Sequence, residues 1–267
     1  MLRHTYSVFI FFILLAFLFF TKASVLLYVL LIVAFLAITS WGAFDIRLNY
    51  FSTNICRSNN KKDKEIAITF DDGPHEKTIE ILDLLSKYNA KATFFCIGKQ
   101  IEKYPKTVER IIAEGHNIGN HSYSHSNWNG FFSTKKIASE IEHTKELIAQ
   151  LVHKKTRIYR PPFGVTNPNI SRAISRTNQV VIGWNVRSLD TVIESEVLIF
   201  ERIKKRIKPG SIILLHDTSA KTVWVLEQLL LFLQSEGYKT KTIEELLDIQ
   251  AYEITNNNQF VQANINK

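Results

Sequence analysis

Short apolar runs near residues 66–70, 92–97, 117–120, 157–160, 180–184 and 212–216 alternate with helical patterns near 77–88, 101–114, 134–152, 168–176, 195–207 and 221–236. Strand–helix alternation of this kind predicts an α/β unit built on a parallel sheet. An open doubly wound sheet and a closed barrel both satisfy it. The length suits one ordinary α/β domain, spanning residues 65–250, plus an appendage.

The appendage is compositionally unlike the rest. From Tyr6 to Phe44 the only formally charged side chain is Lys22, and a stretch that long and apolar exceeds what a small domain buries. Residues 1–44 are therefore expected to be a membrane anchor of one or two helices. Either Thr5–Phe20 and Ala23–Phe44 both cross, joined at Thr21-Lys22, or the first lies at the interface and only the second has the ~20 apolar residues a span requires. A cleaved signal peptide fits poorly, since its apolar core is shorter and ends in small residues. Residues 45–64, polar and rich in Asn and Lys, are expected to be a linker, and 251–267 a polar tail. Flanking charge does not set the orientation, because Arg3 competes with Arg47, Arg57, Lys61, Lys62 and Lys64 for the inner side.

Inside the domain, the strand Ile66-Ala67-Ile68-Thr69-Phe70 runs into Asp71-Asp72-Gly73-Pro74. Successive side chains alternate along a strand, so two neighbouring carboxylates can serve different ligands, one a metal and the other a proton. Gly73-Pro74 then turns the chain. In Asn120-His121-Ser122-Tyr123-Ser124-His125 the two histidines are four residues apart, a spacing that puts both imidazoles on one face of a helical turn. With Asp72 they make a His-His-carboxylate set, which leaves coordination positions open, as catalytic metal sites do. Further on come Arg160-Pro161-Pro162-Phe163-Gly164 and Ile212-Ile213-Leu214-Leu215-His216-Asp217.

These motifs, in this order, resemble those of the polysaccharide deacetylases (the NodB-homology domain, carbohydrate esterase family four): T-F-D-D-G-P, H-[ST]-x-x-H, R-x-P-[FY] and L-x-H. The resemblance covers about residues 64–248 and includes Ala92-Thr93-Phe94-Phe95-Cys96-Ile97-Gly98. A further family motif, D-x-x-D-W, is only half kept. In Trp184-Asn185-Val186-Arg187-Ser188-Leu189-Asp190-Thr191, Arg187 and Thr191 replace its first Asp and its Trp. The resemblance implies a distorted (β/α) barrel with parallel strands, preceded here by the N-terminal transmembrane region, and catalytic groups gathered at the C-terminal rim.

It also implies hydrolysis of the acetamide of an N-acetylated amino sugar in a polysaccharide. The divalent metal, expected to be Zn2+ with Co2+, Ni2+ or Mn2+ as alternatives, is held by Asp72, His121 and His125. Asp71 is the general base, aimed by Arg160. His216 protonates the departing amine, and Asp190 orients His216. Leu214 and Trp184 line the acetyl pocket, with the backbone N–H of Phe163 beside the oxyanion. Intact Asp71, Asp72, His121, His125, Arg160 and His216 argue against a glycan-binding pseudoenzyme. A deformylase acting on a lipid-linked amino sugar is the other alternative. Arg187 is expected at the rim, affecting substrate choice.

Tyr123 and Trp128 lie in a polar loop, where aromatic rings can stack on sugars. Trp184, at a strand end, also suits packing. The net charge of +8 and pI of 9.3 suit anionic lipid headgroups or acidic glycans. No nucleic-acid motif accompanies them, and Arg202-Ile203-Lys204-Lys205-Arg206 reads as the solvated face of a helix. Cys96, in an apolar strand, reads as a core residue. The partners expected are thus a glycan and, through the N-terminus, membrane lipid. The catalytic domain is expected on the outer face from family habit. Two spans with an internal N-terminus would instead leave it in the cytoplasm.

Overall fold

The computed structural model describes residues 3–60 and 63–253. Of the polar tail expected over 251–267, the first residues pack instead: Ala251 is buried, its carbonyl accepts the Arg157 N–H at 2.8 Å, and Tyr252 bridges to Thr156; the rest, from residue 254, lies outside the described residues. The apolar N-terminus forms two helices, α1 (His4–Phe20) and α2 (Val25–Phe44), which pack side by side with the Phe11 and Phe35 rings 4.5 Å apart. By length and composition α2 is able to cross a membrane; α1 is shorter.

The described residues of 45–64 do not behave as the expected linker. Ile46–Leu48 forms a 3-10 turn, and β1 (Asn54–Ile55) joins the main sheet. Ile46 and Tyr50 are buried. Two of the Asn side chains that suggested a solvated segment instead satisfy its own backbone: Asn49 Oδ1 accepts the Asn54 N–H at 2.7 Å, and the Asn54 amide donates to the Ile46 carbonyl at 2.8 Å. Tyr50 also ties the hairpin down. Its ring fills the space over Gly42, where any Cβ would collide with it, and its carbonyl accepts the His4 N–H at 3.0 Å.

The domain follows the predicted alternation. Its further strands are β2 (Glu65–Asp71), β3 (Ala92–Cys96), β4 (Asn117–Asn120), β5 (Ile158–Tyr159), β6 (Val180–Ile182), β7 (Val186–Arg187), β8 (Ile212–His216) and β9 (Lys239–Thr240). Between and after them run α3 (Glu76–Lys87), α4 (Gly98–Lys103), α5 (Pro105–Ala113), α6 (Thr134–Val152), α7 (Pro168–Arg176), α8 (Glu196–Lys204), α9 (Ala220–Ser235) and α10 (Ile243–Leu247). The single helix expected over 101–114 is two, because Pro105 has no N–H to continue α4 and opens α5 instead. The pairings between named strands are parallel, in the order β1-β6-β5-β4-β3-β2-β8-β7, with β9 beside the start of β2. This is the expected distorted barrel. It is open between β7 and β1, and at its lower end an antiparallel bridge from Arg57 to Ser211 spans the gap.

Period-two alternation decides what reaches the interior. On β2, Ile66, Ile68 and Phe70 pack into the layer beneath the helices, while Ala67, Thr69 and Asp71 fall on the other face. On β3, Ala92, Phe94 and Cys96 face the helices, which makes Cys96 the core residue expected of it. On β8, Ile213 and Leu215 face out, leaving Leu214 and His216 to the interior. The register sets Asp71 directly opposite His216.

Candidate active site

A cavity of about 240 Å3 at the C-terminal ends of the strands is lined by Asp71, Asp72, His121, His125, Phe163, Trp184, Leu214 and His216, together with Gly164, Arg187 and Thr191. It therefore brings together residues from every motif singled out in the sequence. Arg160 and Asp190 stand behind it.

Arg160 holds the floor. Its guanidinium is completely buried over the Phe95 ring, 4.0 Å from the centroid. It donates to Asp71 Oδ1 at 2.6 Å, Thr69 Oγ1 at 2.8 Å, and the carbonyls of Ile182 and Gly183 at 3.0 Å each. A buried cation is tolerated only with a partner and satisfied donors, so the arrangement fixes the Asp71 carboxylate in one position. Thr69 went unnoticed in the sequence, although it lies two residues before Asp71 and so shares its face of the strand.

Asp72 is placed differently. Its φ of 75° breaks the strand alternation, so the two neighbouring carboxylates line the same cavity rather than opposite sides. Asp72 Oδ1 lies 3.5 Å from His121 Nε2 and 3.3 Å from His125 Nε2, and is a buried oxygen with no hydrogen-bond partner. The two histidines are not on a helix as their spacing suggests. They sit on the loop after β4, where Ser122 and His125 both take positive φ and the rings approach to 4.9 Å. Since a carbonyl only accepts, the 2.7 Å contact between His121 Nδ1 and the Arg160 carbonyl puts the proton on Nδ1 and directs the Nε2 lone pair into the cavity.

Burial raises the Asp72 carboxyl, but His121, His125 and His216 outweigh it and hold it below the ordinary carboxylate range. Burial lowers His125. One unpartnered carboxylate oxygen and two ring nitrogens, all within 4.8 Å of one another, are a donor set that fits a divalent cation.

His216 faces this set from β8. Its Nε2 is 4.0 Å from Asp72 Oδ2, and its Nδ1 donates to Asp190 Oδ1 at 2.8 Å. Asp190 is saturated: Oδ1 also accepts from Ser188 Oγ at 2.7 Å, and Oδ2 accepts the His216 N–H at 2.8 Å and Thr222 Oγ1 at 3.0 Å. Burial lowers the His216 imidazole, but the hydrogen bond to Asp190 and the charges of Asp190, Asp71 and Asp72 push it up to about 9. Ser188 and Thr222 were missed. Ser188 lies inside the incomplete motif, whereas Thr222 belongs to α9 and nothing local in the sequence marks it.

Around the rim, the Phe163 ring lies 4.7 Å from that of His125, with the residue held at a φ of 60°. Tyr123 departs from expectation. It lies off the cavity, stacked on His143 at 4.3 Å with its hydroxyl donating to Glu102 at 3.1 Å. Trp128 is exposed and meets Phe131 at 5.8 Å. Arg187 is exposed at the rim, its guanidinium 6.0 Å from the centre of the Trp184 ring.

Comparison with known proteins places this arrangement among relatives. The family model described as polysaccharide deacetylase matches residues 58–182. A peptidoglycan-N-acetylglucosamine deacetylase of Bacillus cereus is 35% identical over 187 residues, 68% of each chain. The peptidoglycan-N-acetylmuramic acid deacetylase PdaC of Bacillus subtilis is 32% identical over 70% of this chain, which spans 39% of PdaC. In three dimensions the chain is similar to the Bc1960 peptidoglycan N-acetylglucosamine deacetylase, solved with 4-naphthalen-1-yl-N-oxidanyl-benzamide. That match has a TM-score of 0.70 and 31% identity, covering 75% of this chain and 95% of that one.

Proposed function

The chain belongs to the polysaccharide deacetylase family, and on that premise we propose that it removes acetyl groups from N-acetylated amino sugars of a glycan, with a divalent cation, zinc, held by Asp72, His121 and His125. The observation that carries the reading is the meeting, in one cavity, of this donor set with two braced proton-transfer groups, Asp71 on Arg160 and His216 on Asp190. When bound, the cation lowers the pKa of water, polarises the acetyl carbonyl and offsets charge on its oxygen.

The remaining work falls to side chains. Asp71 accepts the proton of the attacking water as a new C–O bond forms at the acetyl carbon. His216 delivers a proton from Nε2 to the amide nitrogen as the C–N bond breaks, since an amine leaves readily only when protonated. Acetate and the free amine of the sugar are the products. Asp190 keeps His216 in the tautomer that presents Nε2, and Leu214 and Trp184 bound the space for the acetyl methyl.

In the same reading α2 anchors the chain in a membrane with the domain at the bilayer surface. The relatives named for peptidoglycan favour the outer face. The test is acetate release by the purified, metal-loaded chain from peptidoglycan, chitin oligomers, poly-N-acetylglucosamine and xylan. Release from the N-acetylated glycans, abolished by a chelator and restored by zinc, supports the proposal. Metal bound with no acetate from any of them overturns the reading of a polymeric glycan as the substrate.

A further inference from the structure

The catalytic cavity has a neighbour that reaches the membrane helices. A second hollow, of about 660 Å3, shares Phe163 and Arg187 with it and extends to Ala43 and Phe44 in the last turn of α2, with Phe131 and Val165 among its walls. Backbone ties the two together. The Thr166 N–H, three residues past Phe163, donates to the Ala43 carbonyl at 3.0 Å. The helix read as the membrane anchor thus ends against the very loop that borders the active site.

The surface around this junction is the kind found at a membrane boundary. Phe44 and Phe131 line the hollow and are 75% and 82% exposed, and Trp41 and Trp128, close to them in sequence, are 64% and 69% exposed. Trp side chains concentrate at the headgroup level of bilayers, as Trp41 and Trp128 would, and on a free aqueous surface the apolar area of Phe44 and Phe131 would stay hydrated at a cost.

One cation stands where the two hollows meet. Arg187 is exposed and takes part in no ion pair among the described residues. The family motif has an aspartate at this position, so the sign of the charge is reversed here. A guanidinium free to use its donors suits a phosphate.

We propose that the substrate is an N-acetylated amino sugar joined through phosphate to a membrane lipid. The sugar enters the catalytic cavity, the phosphate meets Arg187, and the first carbons of the lipid lie in the hollow leading to α2. This rests on the deacetylase and anchor readings above and narrows them to a substrate delivered by the bilayer. The chemistry is unchanged: the acetamide takes up water, acetate departs, and the amine stays on the lipid-linked sugar.

The test uses the full, metal-loaded chain in lipid nanodiscs with three N-acetylated probes. These are N-acetylglucosaminyl phosphoryl polyprenol in the same discs, N-acetylglucosamine 1-phosphate in solution, and N-acetylchitotetraose in solution. The lipid-linked probe is expected to give a kcat/KM about tenfold or more above either soluble one. Arg187→Ala should lower it on that probe by about tenfold, the scale of one lost hydrogen bond to a charged group. Phe131→Asp, an exposed change with an unaltered melting temperature, should lower it on the lipid-linked probe more than on chitotetraose. Equal rates on the sugar phosphate and the lipid-linked probe overturn the inference, since they leave a phosphate site without a lipid. So does a preference for chitotetraose, or an Arg187→Ala variant as fast as the parent on the lipid-linked probe. No acetate from any probe overturns the deacetylase reading itself, and this inference with it.

Discussion

The two walls of the catalytic cavity are built on opposite principles. On the inner wall, Asp71 is held by Arg160, and His216 by an Asp190 that accepts four hydrogen bonds. On the facing wall, Asp72 keeps a buried oxygen without a partner and two imidazoles stand within 3.5 Å of it. A braced group is fixed in place, which suits proton transfer: Asp190 is saturated and positions His216, while Asp71 gives Oδ1 to Arg160. An unsaturated buried oxygen is costly unless something binds it. The contrast separates two side chains that are neighbours in sequence and identical in kind.

The largest expected effect comes from exchanging those neighbours one at a time. Asp71→Asn should lower turnover by ~10²–10⁴, the usual cost of losing a general base, while metal content stays near stoichiometric because Asp72, His121 and His125 are untouched. It should also lower the melting temperature, since Arg160 is left buried without its counter-charge. Asp72→Asn should instead lose metal, with activity partly recovered at excess zinc. Metal analysis beside kinetics decides the matter: if Asp71→Asn loses the metal and Asp72→Asn keeps it, the two walls have been assigned the wrong way round.

How far the sequence foretold this contrast depends on the kind of signal involved. The strands were legible because each is an apolar run closed by ionisable or Gly/Pro residues, and the motifs at their ends named the carboxylates, imidazoles and arginine of both walls, though not Ser188 or Thr222. Backbone conformation was not legible. The alternation of strand side chains sends Asp71 and Asp72 to different sides, but a positive φ at Asp72 brings both into one cavity. Helical spacing of His121 and His125 was likewise a loop, closed by positive φ at Ser122 and His125. Polar composition misread residues 45–64, because Asn side chains that bond their own backbone look the same in sequence as solvated ones. Tyr123 failed for a related reason: a polar loop says that a ring can be exposed, not which way it faces. Thr222 was out of reach, being brought to Asp190 from a helix 32 residues further on.

A smaller effect sharpens the inner wall. In the proposed mechanism His216 acts in its protonated form, so activity should fall as pH rises through the pKa of that imidazole, which the cavity pushes up to about 9. A cation on the facing wall repels the imidazolium and moves this limb down, equally in parent and variant. Asp190→Asn removes the main partner raising His216, so the limb should shift to lower pH relative to the parent with the same metal. A limb with unchanged position and height would show that Asp190 does not act through His216.

The smallest effect tests whether saturation of Asp190 serves position or chemistry. Thr222→Val keeps the shape of the side chain and removes one of the four donors to Asp190, the one from Oγ1 at 3.0 Å. The contact of His216 Nδ1 with Asp190 Oδ1 is on the other carboxylate oxygen, and Oδ2 keeps the His216 N–H. The loss should therefore appear as stability, about 1.5 kcal/mol for a hydrogen bond to a charged group, measured by denaturant unfolding. Turnover should fall by less than about tenfold, within the range of one such bond, and the alkaline limb should stay where it is in the parent. A limb that moves as far as in Asp190→Asn would mean that Thr222 tunes the charge felt by His216 rather than merely holding its partner, and the inner wall would then be a proton relay reaching into α9.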